Sequence, residues 1–226
     1  MTKVKIKPDL KKSQLVKCLG GRKASRLSCS VQSKVMKLSV IAAKLIKPLI
    51  YYQRKTLESQ QEDCLTLEGG ISFKSRKIAR VMNTCECEEV VCFIATIGDG
   101  IERKSEKLLR ENRLSEAYIL DAIGSVAVEN MVDKFHSEFI TRTKMDSKGL
   151  TLRFSPGYCD WSIEDQKKLF NVFHSNHLEV QLRDSCFMSP RKSISGIFGI
   201  GPFHLDFSEH NPCLECSRVD CTMRRT

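Results

Sequence analysis

Residues 114–139 predict one long helix that is apolar around most of its circumference, and that stretch constrains the chain more than any other. A helix of this kind is covered on nearly every side, so it lies at the centre of the fold with the other elements laid around it. Its polar residues are few and ordered. Asp121, Ser125, Glu129 and Asp133 fall at i, i+4, i+8 and i+12, a single stripe along one face. Facing solvent, the stripe carries no meaning. Facing inward, its carboxylates need cations, and a cationic ligand or Arg153 would serve.

The clearest strand, Glu88 to Ile97 (EEVVCFIATI), is a continuous apolar run rich in β-branched residues, the pattern of a strand buried on both faces. It runs into Gly98-Asp99-Gly100. That turn lacks both the dinucleotide fingerprint and the Lys-Ser/Thr of a phosphate loop, so it reads as a turn first and a ligand loop second. Helical spacing covers Leu10 to Leu19 and Ser30 to Lys47, where Pro48 stops it. Strands follow at Leu49–Gln53 and Asp63–Leu67, a turn at Gly69-Gly70, and a short helix capped by Ser75 that runs through Met82. Further on, Leu150–Phe154 reads as a strand, and Ser162-Ile163-Glu164-Asp165 as a capping box opening a helix to about His174. Leu178–Leu182 and the stretch Ser189–Pro202 complete the strands.

With 226 residues and 41% apolar composition, the chain can bury a substantial core, as one large domain or a domain with an appended segment. The most hydrophobic segment, Leu38 to Tyr52, is broken by Lys44, Lys47 and Pro48, and the N-terminus lacks the apolar centre of a secretory signal. These features place the protein in the cytoplasm, with no membrane partner. Its eleven cysteines then read as reduced thiols, Cys18, Cys92 and Cys186 among them as small core hydrophobes. The net charge of +10 is uneven: Met1 to Leu57 hold fifteen Lys and Arg against one acid, Asp9, and the remainder is net acidic. The expected organisation is a basic helical segment over residues 1–57, a body over 58–207 and a cysteine-rich tail over 208–226. The basic segment predicts an acidic partner, protein or nucleic acid, with a merely solvated face as the plain alternative. No stacking motif, Gly-rich RNA-binding signature or zinc-finger spacing favours nucleic acid.

Hydrolase chemistry is not written here. The chain has no Gly-x-Ser-x-Gly elbow and no His-Glu-x-x-His, and His136, His174, His177, His204 and His210 follow no catalytic order. The tail does hold Cys213, Cys216 and Cys221 at C-x2-C-x4-C spacing, whose first pair can reach one metal ion. A fourth ligand would come from another cysteine, from His210 or from outside the chain, and zinc and iron-sulfur are equally compatible. The alternative is a tail of free thiols.

The stretch Leu152–Trp161, LRFSPGYCDW, compresses an arginine, a Ser-Pro-Gly turn and two aromatics into ten residues. It reads equally as a small-molecule clamp and as a strand-to-helix connection whose aromatics cap the core. Three segments together resemble the activation, or reactivation, domain of cobalamin-dependent methionine synthase in its free-standing form. RFSPGYCDW is similar to that family's Arg-x-x-x-Gly-Tyr turn, LRDSCFMSPRKSISG to its Met-x-Pro-x-x-Ser-Val-Ser-Gly stretch, and AVENMVDKFH to the helix preceding the turn. The order agrees, over roughly Glu88 to Pro202.

The resemblance implies an α+β fold: a twisted, mainly antiparallel sheet packed by helices, with S-adenosylmethionine in a shallow surface groove. It implies a reactivation subunit that supports reductive methylation of cob(II)alamin on a corrinoid protein, or on a methionine synthase lacking its own activation domain. The electron would come from a donor such as a flavodoxin or ferredoxin. Arg153 matches the family's ligand-binding arginine and Glu129 an acidic helix position suited to an ammonium or sulfonium. Tyr158 and Gly157 would border the ligand, and Ser195, Gly199 and Gly201 would form the opposite wall. The competing reading is a nucleic-acid or acidic-protein interaction module whose C-terminal cysteines hold structural zinc.

Overall fold

The computed structural model describes residues 1–20, 26–174, 177–202 and Asn211. The elements in chain order are β1 (Thr2–Val4), α1 (Lys12–Gly20), α2 (Cys29–Leu45), β2 (Leu49–Gln61), β3 (Cys64–Leu67), β4 (Ile71–Lys74), α3 (Arg76–Thr84) and β5 (Glu89–Thr96). They continue with α4 (Gly100–Arg110), α5 (Leu114–Lys144), β6 (Lys148–Leu150), α6 (Asp165–Asn171), β7 (Gln181–Leu182), β8 (Met188–Ser189) and β9 (Ser193–Pro202). Seven strands form one sheet, ordered β4-β3-β2-β5-β9-β6 with β1 on β2, and every pairing in it is antiparallel. The expected α+β architecture is the observed one.

The sheet separates two cores. Successive side chains of a strand point to opposite faces, so Val91, Phe93 and Ala95 of β5 pack with α1, α2, α4 and α5, while Val90, Cys92 and Ile94 pack with α3, α6, Leu65 and Phe73. Both faces are covered, which is why β5 shows no polar alternation. Phe198 of β9 anchors the first core: its ring lies 6.1 Å from Phe93, 6.0 Å from Phe135, 5.4 Å from Phe139 and 4.9 Å from His136. Burial pushes the Cys92 thiol up to about 12, so it behaves as the small hydrophobe expected. Cys186 is also buried, whereas Cys18 is exposed on α1, contrary to its sequence reading.

Other expectations need correction. The Gly98–Gly100 turn opens a helix that periodicity did not reveal, α4, whose buried Ile101, Ser105 and Leu108 are outnumbered by charged residues tied in i,i+4 ion pairs. Gly100 is required there because a Cβ would stand 2.6 Å from the Leu45 carbonyl at the end of α2. The Ser162 capping box does not form. Ser162 Oγ accepts from Glu164 N at 3.3 Å, and α6 begins only at Asp165, whose carboxylate turns inward instead. β2 extends from Leu49 to Gln61, with a register irregularity against β3 between Leu57 and Ser59. Among the described residues, no helix is long and apolar enough to cross a membrane.

Within the sheet, Arg54 grips Glu89 with two bonds, Nε to Oε2 at 2.7 Å and Nη2 to Oε1 at 2.8 Å. These bonds hold the Glu89 carboxyl below the usual carboxylate range. A depressed folded value means that the stabilisation is present above the unfolded carboxylate range, about 4.3, and fades as pH falls through the folded value. Arg54→Gln is therefore expected to lower stability at pH 7, with the gap to wild type closing on acidification. Urea unfolding from pH 7 to pH 3 measures it, and a gap independent of pH would refute the assignment.

Candidate functional site

The Leu152–Trp161 stretch leaves the sheet beside β9 and is braced on three sides. Thr151 N donates to Gly199 O at 3.0 Å, and Phe154 exchanges two 2.8 Å bonds with Ile197. The turn then closes on itself, with Tyr158 N donating to Ser155 O and Gly157 N to Trp161 O. Gly157 has φ 87°, a conformation that favours glycine, and Cys159 follows at φ 57°. Asp160 reaches α3, accepting from Ser75 Oγ at 2.5 Å and Lys77 N at 3.1 Å. Trp161 is buried edge-on against Phe73 and donates Nε1 to Asp165 Oδ2 at 3.1 Å, while the same oxygen accepts from Lys74 N. Trp161 thus supports the turn from beneath. Tyr158 is 52% exposed.

Because Phe154 points into the core beneath α3 and α6, its neighbour Arg153 points the other way, onto the polar stripe of α5. Arg153 Nη2 lies 2.5 Å from Asp133 Oδ1 and 3.5 Å from Glu129 Oε2. Two turns earlier on the helix, Lys192 Nζ lies 2.9 Å from Asp121 Oδ2 and 2.8 Å from Ser125 Oγ. The stripe is half-buried at the surface of the fold, and among the described residues Arg153 pairs with one half of it and Lys192 with the other. The Arg153 and Lys192 side chains are only 9% and 12% exposed, whereas the carboxylates they hold are one-third to one-half exposed. The surface offered outward is therefore acidic, fixed from below by buried cations. Such a surface suits a cationic group, and the ion pairs hold its shape at the cost of desolvating two cations.

α1 packs along α5 beside this stripe. Gln14 accepts from Asn130 of α5, and Asp9, at the approach to α1, pairs with Lys134. The Cys18 residue is exposed overall, but its thiol lies against the protein near Lys192 and Asp121, and this partial desolvation raises it.

Of the residues singled out in the sequence, the structure brings Glu129 and Arg153 together, with Gly157 and Tyr158 on the turn that follows Arg153. Ser195, Gly199 and Gly201 go elsewhere. Register pairs Ser195 with Ile94 and Gly199 with Val90, and those partners face the α3 and α6 side of the sheet. A Cβ on Gly199 would meet Met82 and stand 2.6 Å from Cys87 Sγ, and one on Gly201 would meet the Cys85 carbonyl. The space above these glycines is filled by protein. Beside the Phe154–Ile197 bonds, Gly196 of β9 also packs under this stretch, and a Cβ there would collide with the Phe154 carbonyl. Sequence reading singled out neither Gly196, which packs under the turn, nor Lys192, which pairs with the stripe. Cys213, Cys216 and Cys221 lie outside the described residues, among which no group of side chains could hold a metal ion.

No protein-family model matches this chain, and no curated protein does. Among solved structures, the crystal structure of the MetH reactivation domain bound to AdoHcy aligns over 81% of this chain and 67% of that one, with a TM-score of 0.58 at 14% identity. The two share a fold, a mixed α+β arrangement around an antiparallel sheet.

Proposed function

We propose, from the premise that this chain has the fold of the MetH reactivation domain, that it binds S-adenosylmethionine and serves as a reactivation subunit for a cobalamin-dependent methyltransferase of the methionine synthase type. The observation that carries the reading is the Arg153–Glu129–Asp133 cluster at the foot of the Arg-x-x-x-Gly-Tyr turn, an acidic surface preorganised for a cation. Cobalamin, presented by a corrinoid partner and reduced by one electron from a donor such as a flavodoxin or ferredoxin, would supply the cobalt that accepts the methyl group.

The chain's own residues do the holding. Glu129 and Asp133 face the sulfonium, whose charge vanishes when its methyl–sulfur bond breaks and both bonding electrons stay on sulfur. The attraction therefore weakens in the thioether product and favours its release. Arg153 holds the two carboxylates in place. Tyr158 offers a flat face for the adenine, and Gly157 allows the turn's backbone to approach the ligand. A methyl donor presented at a surface in this way can be reached by a docked partner.

Calorimetry tests the reading. Wild-type protein is expected to bind S-adenosylmethionine with micromolar or weaker affinity. Arg153→Ala should weaken binding at least roughly tenfold, because Glu129 and Asp133 lose the cation that orders them. Absence of binding by the wild type would overturn the reading.

A further inference from the structure

We infer that a separate ligand site lies on the far side of α5, a cleft that takes a small aromatic acid. It is independent of the methyl-donor reading. Glu138 and Arg142 follow Glu129 and Asp133 by nine residues, about two and a half helical turns, so they leave the helix on the side opposite the acidic stripe. There the chain leaving β1 at Lys5 and Ile6 faces α5 across a cleft of about 270 Å³, which Tyr52 of β2 also lines. Its floor is aromatic. The rings of Tyr52, Phe135 and Phe139 form a triangle with centroids 5.3–5.4 Å apart, and Phe135 and Phe139 are backed by Phe198. Both phenylalanines are buried and Tyr52 is half-buried, so a rigid apolar surface lies at the bottom of the cleft.

The rim is charged, by Lys5, Glu138 and Arg142. Elsewhere on α5 such groups are engaged: Glu116 with Arg113, Asp121 with Lys192, Glu129 and Asp133 with Arg153, and Lys134 with Asp9. Among the described residues, the three rim groups enter no ion pair and no side-chain hydrogen bond. Glu138 and Arg142 even stand at i,i+4, the spacing at which the charges of α4 pair. Their donors and acceptors are therefore free for a ligand. Two cations against one carboxylate leave a surplus of one positive charge above an aromatic floor, which matches a flat ring carrying a single negative charge. The forked donors of Arg142 take the ligand's carboxylate and Lys5 adds a second cation. Glu138 works against a second negative charge. The volume falls just below the roughly 300–1,000 Å³ of most ligand pockets, so the cleft suits one ring with a short acidic arm rather than a nucleotide.

Benzoate titrated into the isotope-labelled full chain, followed by amide chemical shifts, tests the site. Benzyl alcohol serves as the uncharged ring and acetate as the anion without a ring. Benzoate is expected to bind in roughly the millimolar range, as a ligand of so few atoms should, with shifts centred on Lys5, Tyr52 and residues 138–142. It should bind about tenfold more tightly than either control, the worth of one charge-assisted bond. Arg142→Gln should abolish the preference for benzoate over benzyl alcohol. Glu138→Gln should act in the opposite direction and strengthen benzoate binding roughly threefold, which the loss of a structural contact would not do. Arg142 is exposed and Glu138→Gln keeps the side-chain shape, so both variants should fold. Absence of shifts at these residues, equal binding of benzoate and benzyl alcohol, or weaker benzoate binding by Glu138→Gln would each overturn the inference. Displacement of benzoate by S-adenosylmethionine would overturn it too, by placing the ring in the methyl-donor groove.

Discussion

Replacing Phe198 with alanine is expected to cost about 3–5 kcal/mol, the range for removing a fully buried ring that its surroundings cannot refill. Phe198 is fully buried and touches Phe93 from the neighbouring strand and Phe135, His136 and Phe139 from α5, so it holds the central helix to the sheet. For a domain of this size the loss corresponds to a fall in Tm of roughly 6–20 °C. Urea and thermal unfolding measure it. A loss below about 1 kcal/mol would mean that α5 is held mainly by its other contacts.

Gly196→Ala should be nearly as damaging, and for a reason that reaches the site. The added Cβ would strike the Phe154 carbonyl and lie 3.0 Å from both Phe93 Cζ and Ser155 Oγ. Backbone cannot fold out of the way as a side chain can, so the turn strand must lift off β9 and lose the paired bonds between Phe154 and Ile197. A cost of about 3 kcal/mol is expected, at the upper end for overpacking. Arg153 precedes Phe154 and would move with it, so S-adenosylmethionine affinity should fall in the fraction that remains folded. Gly199→Ala is the control. Its new methyl meets the ends of the Met82 and Cys87 side chains on the far face of the sheet, so it should destabilise the protein without changing that affinity. Loss of affinity in both variants, at matched folded fraction, would show that the two faces are not independent.

The outcome at these glycines shows where sequence reading stops. The buried strand and the central helix were legible because their apolar patterns are long and uniform. The stripe Asp121-Ser125-Glu129-Asp133 was legible because helix geometry alone puts those residues in line. Its cations were harder. Arg153 is close in sequence and belongs to a recognisable turn, but Lys192 meets Ser125 from 67 residues away, and nothing local marks it. Ser195, Gly199 and Gly201 lie on the α3 and α6 face of β9, because a strand's two faces differ by a single position. Only the register of β9 against β5 decides which face looks at α5. α4 escaped because its few buried residues are surrounded by charges that satisfy one another along the helix.

The bond from Ser75 to Asp160 joins positions 85 residues apart, and through it the arginine turn caps the start of α3. Loops that present ligand contacts are commonly free to open on their own. This one is not, since releasing it strips the first turn of a distant helix of its anchor and exposes Trp161. Hydrogen exchange at the amides of residues 153–161 should accordingly follow the unfolding of α3 rather than precede it, so that turn and helix open together or not at all.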